Sequence, residues 1–270
     1  MATSTKVPNV VSELYEDDRG TMFRQVTRGD DVLVQIEYYH DINFIEPHQI
    51  KRKAGVSVQD IKPDAYERFL KRMGSFQAEY THWQTVVVDS VTTMEISARR
   101  WDQFVLNPSA EDGRQWYGAS KDFLERMLLG RFGALPMNVV VLAHIDDEKF
   151  EHHGTQRRMP MAPGKLRGSL PSQYGEVYHA YVDKDGEHYL QTHTDALWTC
   201  TSAIGAPNPS TPHYAALWPD AHRQPIHVLT YGDFGAGKST FAATFPKPML
   251  VFAFDAHGKD TPYLRGGRTS

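Results

Sequence analysis

The chain has a single cysteine in 270 residues, Cys200. One thiol excludes an intramolecular disulfide and any zinc cluster built on cysteines, and it makes the cytosol the natural compartment. Long apolar runs are missing too. None approaches the ~18 residues of a membrane-crossing helix, so no membrane partner is expected. Met1 to Lys6 is small and polar and lacks the apolar core of a signal peptide. Nor is there an excess of positive charge. Lys and Arg total 29 against 33 Asp and Glu, a net charge of −4. No global basic field therefore draws nucleic acid to the surface, and any such binding must be local or arise on assembly. What remains is an ordinary globular composition, long enough for one large α/β domain over 1–270.

The most specific stretch is Gly232 to Thr240, Gly-Asp-Phe-Gly-Ala-Gly-Lys-Ser-Thr. It fits G-x-x-x-x-G-K-[ST] without a mismatch. An apolar run, Ile226 to Leu229, leads in, and a helix over Ser239 to Phe245 leads out. Gly232, Gly235 and Gly237 permit backbone conformations closed to residues with a Cβ. The N–H groups of the loop, from Gly232, Asp233, Phe234, Gly235, Ala236 and Gly237, then form an anion nest. Lys238 is expected on the β- and γ-phosphates, Ser239 on Mg²⁺ and Thr240 on the α-phosphate side. ATP and Mg²⁺ are the ligands this pattern implies. Its position is unusual, since it arrives after about four-fifths of the chain.

Two buried strands precede it. Thr85 to Asp89 reads Thr-Val-Val-Val-Asp, three β-branched residues ending in a carboxylate, as in a parallel strand covered on both faces. Ligands of open α/β sheets bind at that edge, so Asp89 is the candidate second ligand of Mg²⁺; alternatively it caps the following helix. Met137 to Ala143 is the other, ending at His144. That histidine is either a sensor of the γ-phosphate or a satisfied strand-edge residue. Asp31 to Tyr39 alternates as a strand, and Val7 to Tyr15 reads as a short strand or a turn of helix. Helices are expected over Asp64 to Tyr80, Val91 to Leu106 and Tyr117 to Phe132, with a loop over Ser109 to Trp116. Ile45 to Pro63 reads as an exposed insertion. Asp146 to Pro171 reads as a long loop, acidic first and then basic through Arg157, Arg158, Lys165 and Arg167, and suited to phosphate backbones or a neighbouring subunit. His152 and His153 are adjacent and point apart, which argues against a metal pair. Glu176 to Val182 and Tyr189 to His193 form a hairpin turned at Lys184-Asp185-Gly186, with an edge strand over Thr199 to Ser202. Pro219 to Gln224 reads as a linker, Met249 to Phe254 as the last strand, and Arg265 to Ser270 as a tail.

The run Thr85 to Ser90 resembles the Walker B segment of RecA-like ATPases. The runs Phe252 to Leu264, Ile36 to Asp41 and Ala162 to Leu166 resemble a family of tailed-phage and prophage NTP-binding proteins. That family belongs to the AAA/RecA P-loop class, near the phage single-strand-annealing ATPases. The resemblance spans Val7 to Trp218 and Ile226 to Gly267. It implies a three-layer α/β P-loop NTPase with a mostly parallel sheet, ATP hydrolysis in DNA recombination or replication, single-stranded DNA and further copies of the chain as partners, and the host cytoplasm as location. The order departs from the family, in which the P-loop segment comes first. The chain thus resembles a circular permutant, with residues 226–267 as the Walker A part, 7–218 as the Walker B and sensor part, and 219–225 as the join. Chemistry departs as well. RecA-like enzymes place a glutamate after the strand that here ends in Asp255-Ala256-His257. Asp255 then takes the place near the attacking water, or Glu37 or Glu95 approaches from elsewhere. A non-hydrolysing nucleotide-gated module and a P-loop small-molecule kinase are the rival readings.

Overall fold

A computed structural model of the chain describes residues 10–18, 20–41, 62–150, 155–219, 224–255 and 262–264. The chain begins with an antiparallel meander of β1 (Val10–Glu16), β2 (Met22–Arg28) and β3 (Asp31–Tyr38). Then come α1 (Ala65–Glu79), β4 (Thr85–Asp89), α2 (Val91–Trp101), α3 (Gly113–Glu125) and β5 (Asn138–Ala143). Wider π-helical turns, Asp102–Leu106 and Arg126–Phe132, extend α2 and α3. A hairpin of β6 (Ile145–Phe150) and β7 (Thr155–Pro160) precedes the short α4 (Leu166–Ser169). The strands β8 (Glu176–Val182), β9 (His188–Gln191) and β10 (Thr201–Ser202) lead to α5 (Tyr214–Leu217). The last described elements are β11 (His227–Gly232), α6 (Lys238–Ala242), β12 (Met249–Ala253) and a 3₁₀ turn over Pro262–Leu264.

The main sheet runs β1-β2-β3-β12-β4-β5-β11-β8-β10, with β9 also paired to β8. From β3 to β8 every pairing is parallel, and the antiparallel pairs lie at the two margins. The strands that come last in sequence are interior. β11 lies between β5 and β8, and β12 between β3 and β4.

Period-two alternation divides each central strand between two cores. Val86, Val88, Val139, Val141, Leu229 and Phe252 face one side, with Phe69 of α1, Met94 of α2 and Phe123 of α3. Val87, Val140, Val228 and Val251 face the other, with Trp218 and with Phe241 of α6. A sheet buried on both faces needs covering layers on both, and the result is a mixed α/β fold with a large, mostly parallel sheet of the P-loop NTPase kind. Among the described residues no helix is long and apolar enough to cross a membrane.

Three local expectations are corrected. β2 is a full strand where no element was expected. The Ser109 to Trp116 loop ends early, because the Asp112 side chain accepts from Arg114 N at 2.9 Å and starts α3 at Gly113. The Asp146 to Pro171 segment is largely ordered into a hairpin and α4. Its backbone pairing sets residue 147 opposite 158 and residue 148 opposite 157, so the stretch that reads as loop runs as two antiparallel strands. The Ile45 to Pro63 insertion falls almost wholly outside the described residues, as do the His152–His153 pair, most of the linker and the tail.

Candidate functional site

β11 ends where backbone crowding demands glycine. Gly232 pairs with Ala180 of β8, and a Cβ on Gly232 would lie 2.3 Å from the Ala180 carbonyl oxygen. The chain then turns through Gly235 and Gly237, at φ +79° and +86°, values that side chains with a Cβ rarely adopt. Gly237 leads into α6, so Lys238 is the first helical residue. Its ammonium donates to the carbonyl oxygens of Gly232 at 2.9 Å and Asp233 at 2.8 Å. Burial pushes the Lys238 pKa down, against the pull of Asp89, Asp255 and Asp233.

Ser239 and Asp89, far apart in the chain, meet over this loop. The Ser239 hydroxyl donates to Asp89 Oδ2 at 2.8 Å, and the Tyr263 hydroxyl donates to the same oxygen at 3.0 Å. Asp89 is buried at the end of β4. Burial raises its pKa and the Asp255 charge adds to the effect, while Ser239, Tyr263 and Lys238 oppose it. The capping alternative for this position is taken by the next residue. Ser90 is the N-cap of α2, and its hydroxyl accepts from Thr93 N at 3.5 Å.

Asp255 follows β12 and is drawn in by the backbone, Phe254 N donating to the Asp89 carbonyl at 2.6 Å. Thr93 Oγ1 donates to Asp255 Oδ1 at 2.7 Å, and His144 Nε2 lies 3.4 Å from Oδ2. Burial works to raise the Asp255 pKa, but His144 and Thr93 outweigh it and hold the carboxyl below its ordinary value. His144 and Asp255, assigned separate roles from the sequence, thus stand as a pair. Asp89, His144, Lys238, Ser239, Thr240 and Asp255 line one cavity of ≈ 310 Å³, together with Gly235, Gly237, His188 and Pro262.

Glu37 is not part of it. Its buried carboxylate receives Arg72 Nε at 2.9 and 3.0 Å, the Tyr39 hydroxyl at 2.8 Å and Gln35 Nε2 at 2.7 Å. With its acceptor sites engaged against α1, it has no access to the loop. Glu95 is likewise engaged, by Ser120 at 2.9 Å and Arg99 at 3.3 Å. The basic cluster is also dispersed. Arg167 pairs with Asp146 at 2.8 Å, Arg158 lies 5.1 Å over the Trp198 ring, and Lys165 is exposed just before α4. The Arg157 side chain lies outside the described residues. No group of three or more metal-ligating side chains occurs among the described residues.

Beyond Phe234, which is 81% exposed, lies a second cavity of ≈ 450 Å³, lined by Asp233, Phe234, Ala236, His179, Trp198 and Arg158 among others. There the His179 ring stacks on Trp198 at 3.4 Å, and burial lowers the His179 pKa to about 4. Sequence reasoning assigned no role to Tyr263, Thr93, His188 or His179. Tyr263 sits inside a run that carried the resemblance, and Thr93 stands three residues after Ser90, where a first-turn hydroxyl reaches back toward a strand edge. Nothing local to the sequence marks His188 or His179.

A family model described as an AAA domain matches residues 43–200. The match contains Asp89 and His144 and ends before the glycine loop. No curated protein and no solved structure matches the chain.

Proposed function

The chain belongs to the AAA-domain family, and from that premise we propose that it binds ATP with Mg²⁺ at the Gly232–Thr240 loop and hydrolyses it. The observation that carries this reading is the 2.8 Å contact between Ser239 and Asp89 beside the Lys238 ammonium. A hydroxyl and a buried carboxylate are hard oxygen donors, and two protein oxygens suit a Mg²⁺ that keeps waters and phosphate oxygens as its other ligands. The lifted pKa of Asp89 fits the same assignment, because a dication beside it would offset the charge that burial penalises. When bound, the metal would neutralise charge on the phosphates.

The side chains divide the remaining work. Lys238 leaves the loop carbonyls and donates to the terminal phosphates, where burial strengthens its field. Asp255, held ionised by Thr93 and His144, accepts from the attacking water. Its depressed pKa makes it a weak proton acceptor, so it positions the water more than it deprotonates it. His144, with Nε2 against that carboxylate, is the residue that would sense the γ-phosphate. With an aspartate where RecA-like enzymes have a glutamate, turnover is slow. The test is phosphate release with Mg²⁺, with EDTA, and for Lys238→Ala. Release that exceeds the variant's and needs the metal is expected; release equal to the variant's would sink the hydrolysis claim.

The phage-type runs support a place in DNA recombination or replication, with assembly into homo-oligomers. A salt-sensitive rise in hydrolysis on adding single-stranded DNA tests that role, and no stimulation at low salt counts against it. The tethering of Arg158 and Arg167 favours the alternative of a nucleotide-gated module whose partner is engaged only after a change of state. Circular permutation is supported by the late glycine loop and by a family match that ends before it. A chain reordered to begin at residue 226, folding to an equally active protein, is the expected outcome.

A further inference from the structure

A third cavity, of ≈ 540 Å³, opens between α1, α2 and α3, away from the residues discussed so far. Aromatic rings and charged groups line it: Tyr66 and Trp101, with three carboxylates, Asp102, Asp122 and Glu125, against one cation, Arg126. Two of the carboxylates are compensated, since Lys121 lies 2.9 Å from Glu125 and 3.9 Å from Asp122. Asp102 is not. It is 5% exposed, its Oδ1 accepts from Asn107 Nδ2 at 2.9 Å, and among the described residues its Oδ2 has no hydrogen-bond partner and no cation pairs with it.

A buried carboxylate oxygen without a donor is costly to keep. Asp102 is buried and lines the cavity, so the cavity offers a side from which a donor can come. The rings flanking it stand 6.3 Å apart, Tyr66 to Trp101, and aromatic faces attract cations as well as apolar groups. Both π-helical turns of the described chain contribute to the wall, Asp102 and Leu106 from one and Arg126 from the other. Such turns gather at functional positions.

We propose that this cavity is a binding site for an organic cation, a guanidinium or primary ammonium group anchored by Asp102 and flanked by Tyr66 and Trp101. Guanidinium is the better match, because its planar fork satisfies a carboxylate oxygen while its face lies on a ring. The group reaches the site either on a free small amine or on an arginine side chain. The proposal is independent of the nucleotide reading, since none of its residues touches the glycine loop.

Calorimetric titration of the full chain tests it with three probes: agmatine, N-acetylarginine amide, and the uncharged N-acetylcitrulline amide of nearly the same shape. At least one cation is expected to saturate below about 1 mM. The ureido analogue and the Asp102→Asn variant are each expected to bind about tenfold more weakly or worse, the loss of one charged hydrogen-bond partner. Tighter binding of agmatine assigns the site to free amines, and tighter binding of the arginine amide to a peptide side chain. Lys238→Ala is expected to leave cation binding unchanged, which separates this site from phosphate binding. Failure of both cations to saturate, or equal binding by the ureido analogue on the wild-type chain, overturns the proposal without any appeal to a variant's folding.

Discussion

Asp89 is buried beside a second carboxylate, and its folded-state pKa is raised by burial first and by Asp255 second. The folded chain therefore holds that proton more tightly than the unfolded chain. The associated stability is present at acid pH and is lost as pH rises through the folded pKa. Asp89→Asn keeps an oxygen for Ser239 and Tyr263 but removes the charge. It is expected to raise Tm at neutral pH by about 2–4 °C, the shift of roughly 1 kcal/mol in a chain of this size, while abolishing Mg²⁺-dependent phosphate release; calorimetry and the release assay check the two halves. His179 has the opposite sign. Burial lowers its pKa from 6.5 to about 4, so its contribution is present above pH 6.5 and is lost as pH falls toward 4. Chemical denaturation of His179→Gln across that range is expected to show a shallower acid loss than wild type. Asp255→Asn is expected to lower hydrolysis with nucleotide affinity nearly kept, since the role proposed for the group is toward the water and not the phosphates. An equal loss of binding would place it among the phosphate contacts instead.

At the level of elements, the glycine loop is held by its entry strand. An alanine Cβ at position 232 would meet the Ala180 carbonyl at 2.3 Å, so Gly232→Ala is expected to push β8 and β11 apart and to cost about 1–3 kcal/mol, as overpacking does. Gly118 lies exposed within α3 with nothing within 4 Å of an added Cβ. Gly118→Ala is expected to stabilise by about 0.4–1 kcal/mol through the unfolded chain. Urea unfolding of the pair reads both signs. Elements carried by short-range pattern were legible from sequence. The Thr85–Asp89 and Asn138–Ala143 strands announce themselves by consecutive β-branched residues, and the glycine loop by spacing. The β6–β7 hairpin was not, because neither strand carries an apolar period along the sequence and the antiparallel register joins two separate stretches.

Across the whole molecule, the last fifth of the chain supplies two strands that do not sit together. β11 fills the gap between β5 and β8 and β12 the gap between β3 and β4. Without them β4 and β5 keep only each other, β3 and β8 lose their parallel partners and are cut off from that pair, and Val87, Val140 and the cores on both faces lose cover. Residues 1–218 alone are expected to show no cooperative melt; a cooperative calorimetric transition for that fragment would refute the dependence.

The sequence by itself determined the phosphate-type loop, the buried strand ending at Asp89 and the α/β class, because each is written in residues that are neighbours along the chain. The tertiary structure decided which acids meet that loop. Asp255 and His144 come together because β12 and β5 flank β4 in the sheet, and Tyr263 closes on Asp89 from the chain's far end. Glu37 is withdrawn because α1 lays Arg72 against it. Those choices rest on which strands lie side by side and on which charges are compensated once buried, and neither is a property of any short stretch of sequence.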